Sequence, residues 1–412
     1  MFSVSIRSQL TLLICWLGLA ELIQAASLSR QHIHIRHQHQ PHPDPSNLGS
    51  SRSLASAKEG SAANTTSGQL RITACIHLKN EVPYLIEWLE FHRIQGFTHF
   101  VIYDDFSADN VSLLETLYRE HGRHYITVYP PTGQGLTNNE RRSHNAGHCS
   151  EHFSNDSDWM INIDVDEFVW SPAYHSVQEY LAAEVKEDMH MVYVGATRFG
   201  WGGQRHRFEY ALQQVNGTGD HSVELSNPKG IQLLTSSHIH RAPDQRFGEP
   251  EQFLRDSNQR CREWQGEDSP CTNDYNGRYG KAFVRTQHAV SVWTHGGGVR
   301  GAFGEGSMFN GQDVGTERCP VPICMKADPY KLHIYHLRSP SIADVAKKDL
   351  DEGISSPEEA QSRMVQSDED YDKETWFFNQ IRDVSLVKYE AQLRERIQSL
   401  FTQTSQHPQR SS

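Results

Sequence analysis

The sequence predicts an α/β fold with a parallel sheet, and three apolar segments support that prediction. Residues 71–78 (RITACIHL) and 98–103 (THFVIY) have the continuous apolar character of buried strands. Between them, residues 82–95 place large apolar side chains at helical spacing, and Gly96 stops the helix. A strand, a helix and a second strand in this order form a βαβ unit, whose strands run parallel. Residues 159–163 (WMINI) predict a third strand.

Length and composition limit the class of protein. A chain of 412 residues can form one large domain or two ordinary ones. Its hydrophobic fraction of 37% and charged fraction of 22% are typical of soluble globular proteins and exclude a multi-span membrane protein. The net charge of -12 argues against a nucleic-acid partner, because an acidic protein repels phosphate backbones. A phosphorylated ligand would need a cation to mediate its binding.

The N-terminus predicts export. Arg7 precedes an apolar run from Leu10 to Ala20, and residues 24–27 (QAAS) are of the small type that signal peptidase accepts. The run is shorter than the roughly 20 residues of a spanning helix. Residues 1–26 are therefore predicted to be a signal peptide, with a short signal anchor as the alternative. We expect membrane contact only through this segment, if it stays uncleaved, and a location in the secretory pathway.

A polar segment follows the predicted signal. Residues 27–70 are rich in His, Pro and Ser and have no periodic apolar face, so they cannot repay the entropy of ordering. We expect a flexible stem here. The histidines between His32 and His42 could bind copper, nickel or zinc, although spacers tolerate almost any polar composition.

Export makes the cysteines candidates for disulfides, because exported proteins fold in an oxidising compartment. Cys15 lies in the signal, and the remaining six cysteines allow many pairings. Short loops favour the local pairs Cys261–Cys271 and Cys319–Cys324. Export also makes N-x-S/T sequons candidate glycosylation sites, and these begin at Asn64, Asn110, Asn155 and Asn216.

The folded body is predicted to span residues 71–345, followed by a C-terminal extension over residues 346–412. In the extension, apolar residues at helical spacing mark one face of a terminal helix. We expect that helix to dock on the body, since fewer than three heptads are present for a coiled coil. The face consists of Leu386, Leu393, Ile397, Leu400 and Phe401.

Polar residues follow each predicted strand of the body. Asn80 and Glu81 come after the first strand, Asp104 and Asp105 after the second, and the segment 164–166 (DVD) after the third. In parallel sheets, ligands sit outside the carboxyl ends of the strands. Two carboxylates two residues apart can present oxygens to one hard cation, which can bridge the phosphates of a nucleotide. The alternatives are an acidic turn or helix N-cap carboxylates.

Taken together, these motifs resemble GT-A glycosyltransferases, and within that class they are most similar to glycosyltransferase family 92 and its family 2-like relatives. The resemblance rests on residues 79–81 (KNE), 102–105 (IYDD) and 164–168 (DVDEF), and it covers roughly residues 72–345. It implies a GT-A-type, Rossmann-like mixed sheet flanked by helices, in a single large domain after a flexible stem. It also implies an inverting glycosyltransferase that acts in the Golgi lumen or is secreted.

The resemblance implies roles for the predicted site residues. Asp104 or Asp105 would hold the base and ribose of a nucleotide-sugar donor, at the edge shared with Asn80 and Glu81. Asp164 and Asp166 would hold Mn2+ or Mg2+ on the diphosphate. A UDP-sugar donor is suggested, with galactose as the guessed sugar, and the acceptor would be a glycan or glycoconjugate.

Several later residues are candidates with an ordinary structural alternative. Lys281 and Arg285 would contact the donor phosphates, or they would be solvated surface charges. His295 would complete the metal shell as a neutral imidazole, or it would be a structural histidine. Glu251 is the guessed catalytic base, and its neighbour Glu249 is a second candidate, although a surface loop explains each of them.

Two other functional classes stay open. A nucleotidyltransferase or phosphoesterase could use the same aspartate pair, but a two-metal site would need further clustered ligands, and residues 150–240 offer no obvious set. A non-catalytic carbohydrate-binding protein could retain the sheet without turnover. The stretch 296–324 departs from the pattern of the family, which leaves the choice of acceptor open.

Overall fold

A computed structural model describes residues 69–200, 210–216, 221–226, 230–242, 249, 251–265, 280–299, 309–337, 343, 346–347, 350, 356–365 and 381–402. The predicted signal and nearly all of the predicted stem lie outside these residues. Within the described part of the chain, no helix is long and apolar enough to cross a membrane.

The strands are numbered in chain order. They are β1 (Ile72–Leu78), β2 (His99–Asp104), β3 (Ile126–Tyr129), β4 (Trp159–Asn162), β5 (Glu167–Trp170), β6 (Met191–Val194), β7 (Ala196–Arg198), β8 (Ala211–Asn216), β9 (His221–Ser226), β10 (His240–Arg241), β11 (Lys281–Arg285), β12 (Ala289–Trp293), β13 (Gly296–Val299), β14 (Phe309–Asn310), β15 (Cys324–Lys326), β16 (His333–His336) and β17 (Ile381–Arg382). The α-helices are α1 (Val82–Ile94), α2 (Leu113–Glu120), α3 (Asn138–Phe153), α4 (Val177–Glu184), α5 (Leu234–Ser237), α6 (Glu251–Gln265), α7 (Pro357–Val365) and α8 (Glu390–Thr402).

A seven-stranded mixed sheet forms the centre of the described residues, in the order β15-β6-β11-β4-β1-β2-β3. β1 pairs in parallel with β2 and with β4, and β2 pairs in parallel with β3. β11 runs antiparallel to both of its neighbours, β4 and β6. This arrangement confirms the predicted βαβ unit and the predicted fold class of a mixed sheet flanked by helices.

Helix α1 connects β1 to β2 and covers one face of the sheet. Its residues Leu85, Trp88 and Leu89 are fully buried in the main core, which matches the predicted helical spacing. Gly96 follows with a φ of +89°, and a Cβ there would lie 2.5 Å from Cβ of Gln178. Glycine therefore serves both the left-handed turn after the helix and a close approach to α4.

The opposite face of the sheet carries a second core, and a disulfide crosses it. Cys75 of β1 is bonded to Cys149 of α3, and both residues are fully buried. The predicted local pair Cys319–Cys324 is also present. Cys271 and the side chain of Cys261 lie outside the described residues, so that predicted pair stays a prediction.

The terminal helix α8 docks on α1, as its apolar face predicts. Leu393 and Ile397 are fully buried in the main core. Arg396 Nε lies 2.6 Å from Oε2 of the buried Glu90 on α1, an ion pair between the two helices. Residues 390–402 therefore belong to the same packed unit as β1 and α1.

A three-stranded sheet, in the order β5-β16-β7, adjoins the central one. β5 pairs antiparallel with β16, and β7 pairs in parallel with β16. Residues 163–166 connect β4 of the central sheet to β5 of this second sheet. The predicted metal-binding segment therefore lies in the link between the two sheets.

Candidate functional site

Hydrogen bonds to residues of the second sheet and its margin fix the segment 164–166. The backbone N–H of Asp164 donates to Oε2 of Glu167 at 3.1 Å. The carbonyl of Asp166 accepts from the N–H of Leu337, just after β16, at 2.7 Å. The side chain of Asp164 stays 25% exposed. Asp164 thus lies in a rigid link and still reaches the surface.

Lys281 neutralises this segment from inside the protein. Its side chain is fully buried, and Nζ lies 2.7 Å from Oδ2 of Asp164 and 3.0 Å from Oε2 of Glu167. Burial alone would lower the pKa of Lys281, but the two carboxylates raise it above its ordinary value. Lys281 therefore contacts the predicted metal ligand and, being buried, does not present a surface charge to a ligand.

Topology explains why Lys281 reaches Asp164 and Arg285 does not. Because β11 is antiparallel to β4, the first residue of β11 lies at the carboxyl end of β4, and Arg285 lies opposite Trp159 at the other end. Arg285 Nε donates to the carbonyl of Met189 at 3.0 Å, and its guanidinium lies 4.5 Å from the centre of the Trp159 ring. The position of Arg285 therefore does not support its predicted contact with donor phosphates.

Two arginines that the sequence analysis passed over complete this edge. Arg141 lies in the first turn of α3, and its Nε and Nη2 donate to the two carboxylate oxygens of Asp105. Its neighbour Arg142 places Nη1 3.5 Å from Oδ1 of Asp164. The helix begins with a capping box, in which Thr137 and Glu140 bond reciprocally. That sequence signal could have placed the arginine pair at a helix N-terminus.

The carboxylate of Asp105 is held by the protein itself. It is almost fully buried and also accepts a hydrogen bond from Nδ2 of Asn138 at 3.2 Å. Burial would raise the pKa of Asp105, but the hydrogen bonds from Arg141 bring it below its ordinary value. His77 Nε2 lies 3.6 Å from Oδ2 of Asp105, and burial, followed by the charge of Arg142, lowers the pKa of His77 to about 4. This interior network contains a neutral imidazole.

Asp104 is the more accessible of the two adjacent aspartates. It is half-buried, and its Oδ1 accepts from the N–H of Ser107 at 3.0 Å. Burial raises the pKa of Asp104 above its ordinary value. Of the predicted pair, Asp104 is therefore the residue whose position suits contact with a ligand.

Asn80 and Glu81 lie at the predicted edge and shape it. The side-chain oxygen of Asn80 accepts from the N–H of Ala108 at 2.7 Å. The carbonyl of Glu81 accepts from the N–H groups of Tyr84 and Leu85 and so starts α1. These contacts brace the turns after β1 and β2, and direct contact with a donor stays a prediction.

The residues that would hold a cation are Asp164 and Asp166, with imidazoles close by. His336 Nε2 lies 3.4 Å from Oδ2 of Asp166, a neighbour that the sequence analysis did not assign. His295 Nδ1 lies 3.3 Å from the carbonyl of Gly280, and burial, followed by the charge of Lys281, lowers the pKa of His295 to about 4. A neutral imidazole of that kind suits metal ligation.

In the parts of the chain that the structure describes, no group of three or more His, Cys, Asp or Glu side chains is arranged to hold a metal ion. Mg2+ in nucleotide sites commonly takes only one or two carboxylates and completes its shell with substrate phosphates and water. Asp164 and Asp166 fit that mode of binding, and they do not fit an all-protein cage.

Glu251 does not join this edge. It is the first residue of α6, and its side chain is 75% exposed and pairs with Arg255 one turn along the same helix at 2.5 Å. Such a pair is ordinary on a helix surface. Glu249 instead pairs with the buried Arg241 at 2.7 Å. Neither contact supports a role as the catalytic base.

Comparisons with known proteins agree with the motif resemblance. A family model described as Glycosyltransferase family 92 matches residues 71–397. A glycosyltransferase family 92 protein of Oryza sativa subsp. japonica is 29% identical over 110 residues, which are 26% of this chain and 17% of that protein. One of Arabidopsis thaliana is 29% identical over 108 residues, with the same two coverages. The aligned part of this chain thus spans only about a sixth of either relative.

Among solved structures, S. aureus TarS 1–349 is similar at 10% identity and a TM-score of 0.30, covering 75% of this chain and 70% of that chain. The same fragment in complex with UDP-GlcNAc gives 9% identity and a TM-score of 0.27, with coverages of 75% and 71%. Similarities this low support no inference about function. The family match, by contrast, runs from the first strand into the terminal helix, and this chain belongs to glycosyltransferase family 92.

Proposed function

We propose that this protein is a metal-dependent glycosyltransferase that transfers a hexose from a nucleotide diphosphate sugar to a glycan or glycoconjugate. Galactose from UDP-galactose is the first donor to test. Family membership supports glycosyl transfer. The observation that carries the rest is the placement of Asp164 at the carboxyl edge of the sheet, partly exposed and contacted by Lys281 and Arg142.

Asp164 and Asp166 are the proposed ligands of Mn2+ or Mg2+, with His295 and His336 as candidate imidazole ligands. When bound, the cation would supply Lewis-acid stabilisation of the diphosphate leaving group. It would also reconcile a chain of net charge -12 with an anionic donor.

The basic residues of this edge would orient its carboxylates and supply positive charge toward the diphosphate. Lys281 lies 2.7 Å from Asp164, which favours the ionised carboxylate and fixes its orientation. Arg142 lies beside Asp164 and is 26% exposed, so it would add positive charge where negative charge develops on the departing diphosphate. Arg141 binds Asp105 and thereby fixes the first turn of α3. These three residues would prepare the edge before a donor binds.

We further propose an inverting displacement and a location in the secretory pathway, in the Golgi lumen or secreted. Inversion requires a base for the acceptor hydroxyl, and the exposed Glu251 has no structural support for that role. The buried Cys75–Cys149 bond supports an oxidising compartment. A nucleotidyltransferase or two-metal phosphoesterase is less favoured, because the described residues offer no cluster of three or more potential ligands.

The test is a donor panel with the full chain. Transfer from UDP-galactose, UDP-glucose, UDP-GlcNAc and GDP-mannose to a mixed glycan acceptor is measured with Mn2+, with and without a chelator. Asp166→Asn should lower transfer by about 100-fold or more, since it removes one proposed cation ligand. Asp158→Asn is the matched control, because Asp158 lies just before β4 at the opposite edge and pairs with Arg71.

The other results of this panel separate the alternatives. Transfer that is unchanged by chelation and by Asp166→Asn would contradict metal dependence. Phosphate-ester cleavage without sugar transfer would indicate the phosphoesterase class. Nucleotide-sugar binding without turnover on any acceptor would indicate a carbohydrate-binding protein.

A further inference from the structure

Helix α3 carries a stripe of histidines beyond its basic first turns. His144, His148 and His152 are spaced four residues apart, so neighbouring members lie one turn apart on the same side of the helix. The rise from Arg142 to His152 is about 15 Å along the helix axis. The proposed transfer reaction uses none of these three histidines, so their arrangement calls for a separate explanation.

The rings of His148 and His152 lie against each other. Their centroids are 3.9 Å apart, and their planes differ by 15°. His152 is exposed and His148 is half-buried, so the pair opens to solvent. Two histidines one turn apart on a helix can bind one zinc ion, as the histidine pairs of helical zinc motifs do. Because His152 is exposed, rotation about its side-chain bonds can bring its Nε2 to the same ion as Nε2 of His148.

The Nδ1 atoms of both rings are held by oxygens. His152 Nδ1 donates to the carbonyl of His148 at 3.0 Å, and since a carbonyl only accepts, Nε2 of His152 carries the lone pair. His148 Nδ1 lies 2.7 Å from Oη of Tyr103, a hydroxyl that can accept the Nδ1 proton and leave Nε2 of His148 as the ligand atom. Metal-binding histidines commonly donate their other ring N–H to an oxygen in this way.

Two tyrosines fix the ring of His148. Its centroid lies 5.6 Å from that of Tyr103 on β2 and 4.9 Å from that of Tyr129 on β3, with both tyrosines edge-on to it. Tyr103 and Tyr129 are paired residues of adjacent strands, and their rings stack with centroids 5.1 Å apart. The orientation of His148 is therefore set by the sheet before any ion binds.

We propose that His148 and His152 form a surface site for a borderline divalent metal ion such as Zn2+, bound by the two Nε2 atoms and by water, with Tyr103 orienting His148. Two imidazoles are the whole protein contribution, in keeping with the absence of any group of three or more potential ligands from the described residues. Imidazole suits zinc, copper and nickel, whereas carboxylates suit magnesium and manganese. This site therefore differs in chemistry from the one proposed at Asp164, and it does not depend on it. A bound ion would link two successive turns of α3.

The test is carbethoxylation of the full chain by diethyl pyrocarbonate, with and without Zn2+, followed by peptide mass mapping. This measurement reports each histidine separately, so zinc bound elsewhere does not obscure the result. Zn2+ should protect His148 and His152 over the same range of concentration. His124, a single exposed histidine before β3, should stay reactive throughout.

Substitutions then test the pairing. His152→Ala leaves one imidazole, so the Zn2+ concentration that half-protects His148 should rise about 10-fold or more, and His148→Ala should do the same for His152. Tyr103→Phe keeps the ring but removes the hydroxyl, and it should raise the concentration for both histidines roughly 10-fold. His144→Ala, one turn away on the other side of His148, is the matched control and should leave protection unchanged.

Four results would overturn the inference. They are modification of His148 and His152 that Zn2+ does not slow, undiminished protection of His148 in a His152→Ala chain with the melting temperature of the wild type, equal loss of protection in His144→Ala, and a Tyr103→Phe chain protected like the wild type. The last would remove the orienting role of Tyr103, and the other three would remove the paired site. None of them bears on glycosyl transfer, so the proposed function is tested separately.

Discussion

The two ends of strand β11 carry basic residues whose surroundings and roles differ. At one end Lys281 is fully buried between Asp164 and Glu167, beside the proposed site. At the other end Arg285 donates to the backbone carbonyls of Met189 and Lys186 and covers the Trp159 ring. The same strand therefore places one cation in a charged site and the other in a structural cap. Position relative to the carboxyl edge of the parallel strands separates the two roles, and residue type does not.

The largest effect is expected when Lys281 is replaced. Lys281→Met removes the cation that lies between Asp164 and the buried Glu167, so the free energy of unfolding should fall by about 3–5 kcal/mol and transfer should be lost. Arg285→Met should cost only about 1 kcal/mol, from lost hydrogen bonds to two backbone carbonyls near the surface, and should retain transfer. Urea denaturation and the transfer assay measure both variants. Equal losses of stability would contradict the distinction between the two ends.

A second prediction concerns one arginine at each of the two edges of the sheet. Arg142→Gln should lower transfer by about 10- to 100-fold with little loss of stability, because a charge-assisted contact to the diphosphate is removed. Arg71 pairs with Asp158 at the opposite edge and is 48% exposed. Arg71→Gln should leave transfer unchanged. If both substitutions leave the rate unaltered, Arg142 has no part in the reaction.

The last prediction contrasts Lys281 with Glu87, a buried acid whose hydrogen-bond donors are all uncharged. Glu87 on α1 accepts from the N–H groups of Leu234 and Thr235 and from the Thr235 hydroxyl. Burial raises the pKa of Glu87 from 4.5 to about 7. The folded state thus binds this proton more tightly than the unfolded state, so the stability it contributes is complete below pH 4.5 and is lost as the pH rises through about 7.

Melting temperatures measured between pH 4.5 and 8 check the contribution of Glu87. Glu87→Gln should flatten the decline across this range, which amounts to at most about 1.4 kcal/mol per pH unit for one proton. Glu224→Gln, at an exposed strand position, should keep the wild-type profile. A Glu87→Gln profile parallel to that of the wild type would show that Glu87 does not titrate in this range.

Local sequence patterns predicted the elements that form from residues close together in the sequence. Strands β1, β2 and β4 and helix α1 follow from continuous apolar runs and helical spacing, and each is present. The terminal helix docks through the residues that its spacing marked. The edge that gathers Asp104, Asp105 and Asp164 also follows, because parallel strands end together.

The rest of the site depends on pairing between strands that are far apart in the sequence, which local patterns do not predict. Lys281 meets Asp164, 117 residues earlier in the chain, only because β11 enters the sheet antiparallel beside β4. The sequence predicts the same contact with donor phosphates for Lys281 and Arg285, yet four residues of extended chain span about 13 Å and reach the other edge. The capping box marks where α3 begins in the sequence, but short-range spacing does not reveal that this end of the helix lies beside Asp105 and Asp164.

The bond between Cys75 and Cys149 has a consequence for how the protein matures. It joins β1 to the helix that carries Arg141 and Arg142, and neither sulfur is reachable by a soluble reductant in the folded chain. Oxidation of this pair therefore has to precede closure of the core, while the thiols are still accessible to an oxidant. A chain that folds without this bond would lack the covalent tie between β1 and α3, and later exposure to air would not readily form the bond inside a closed core.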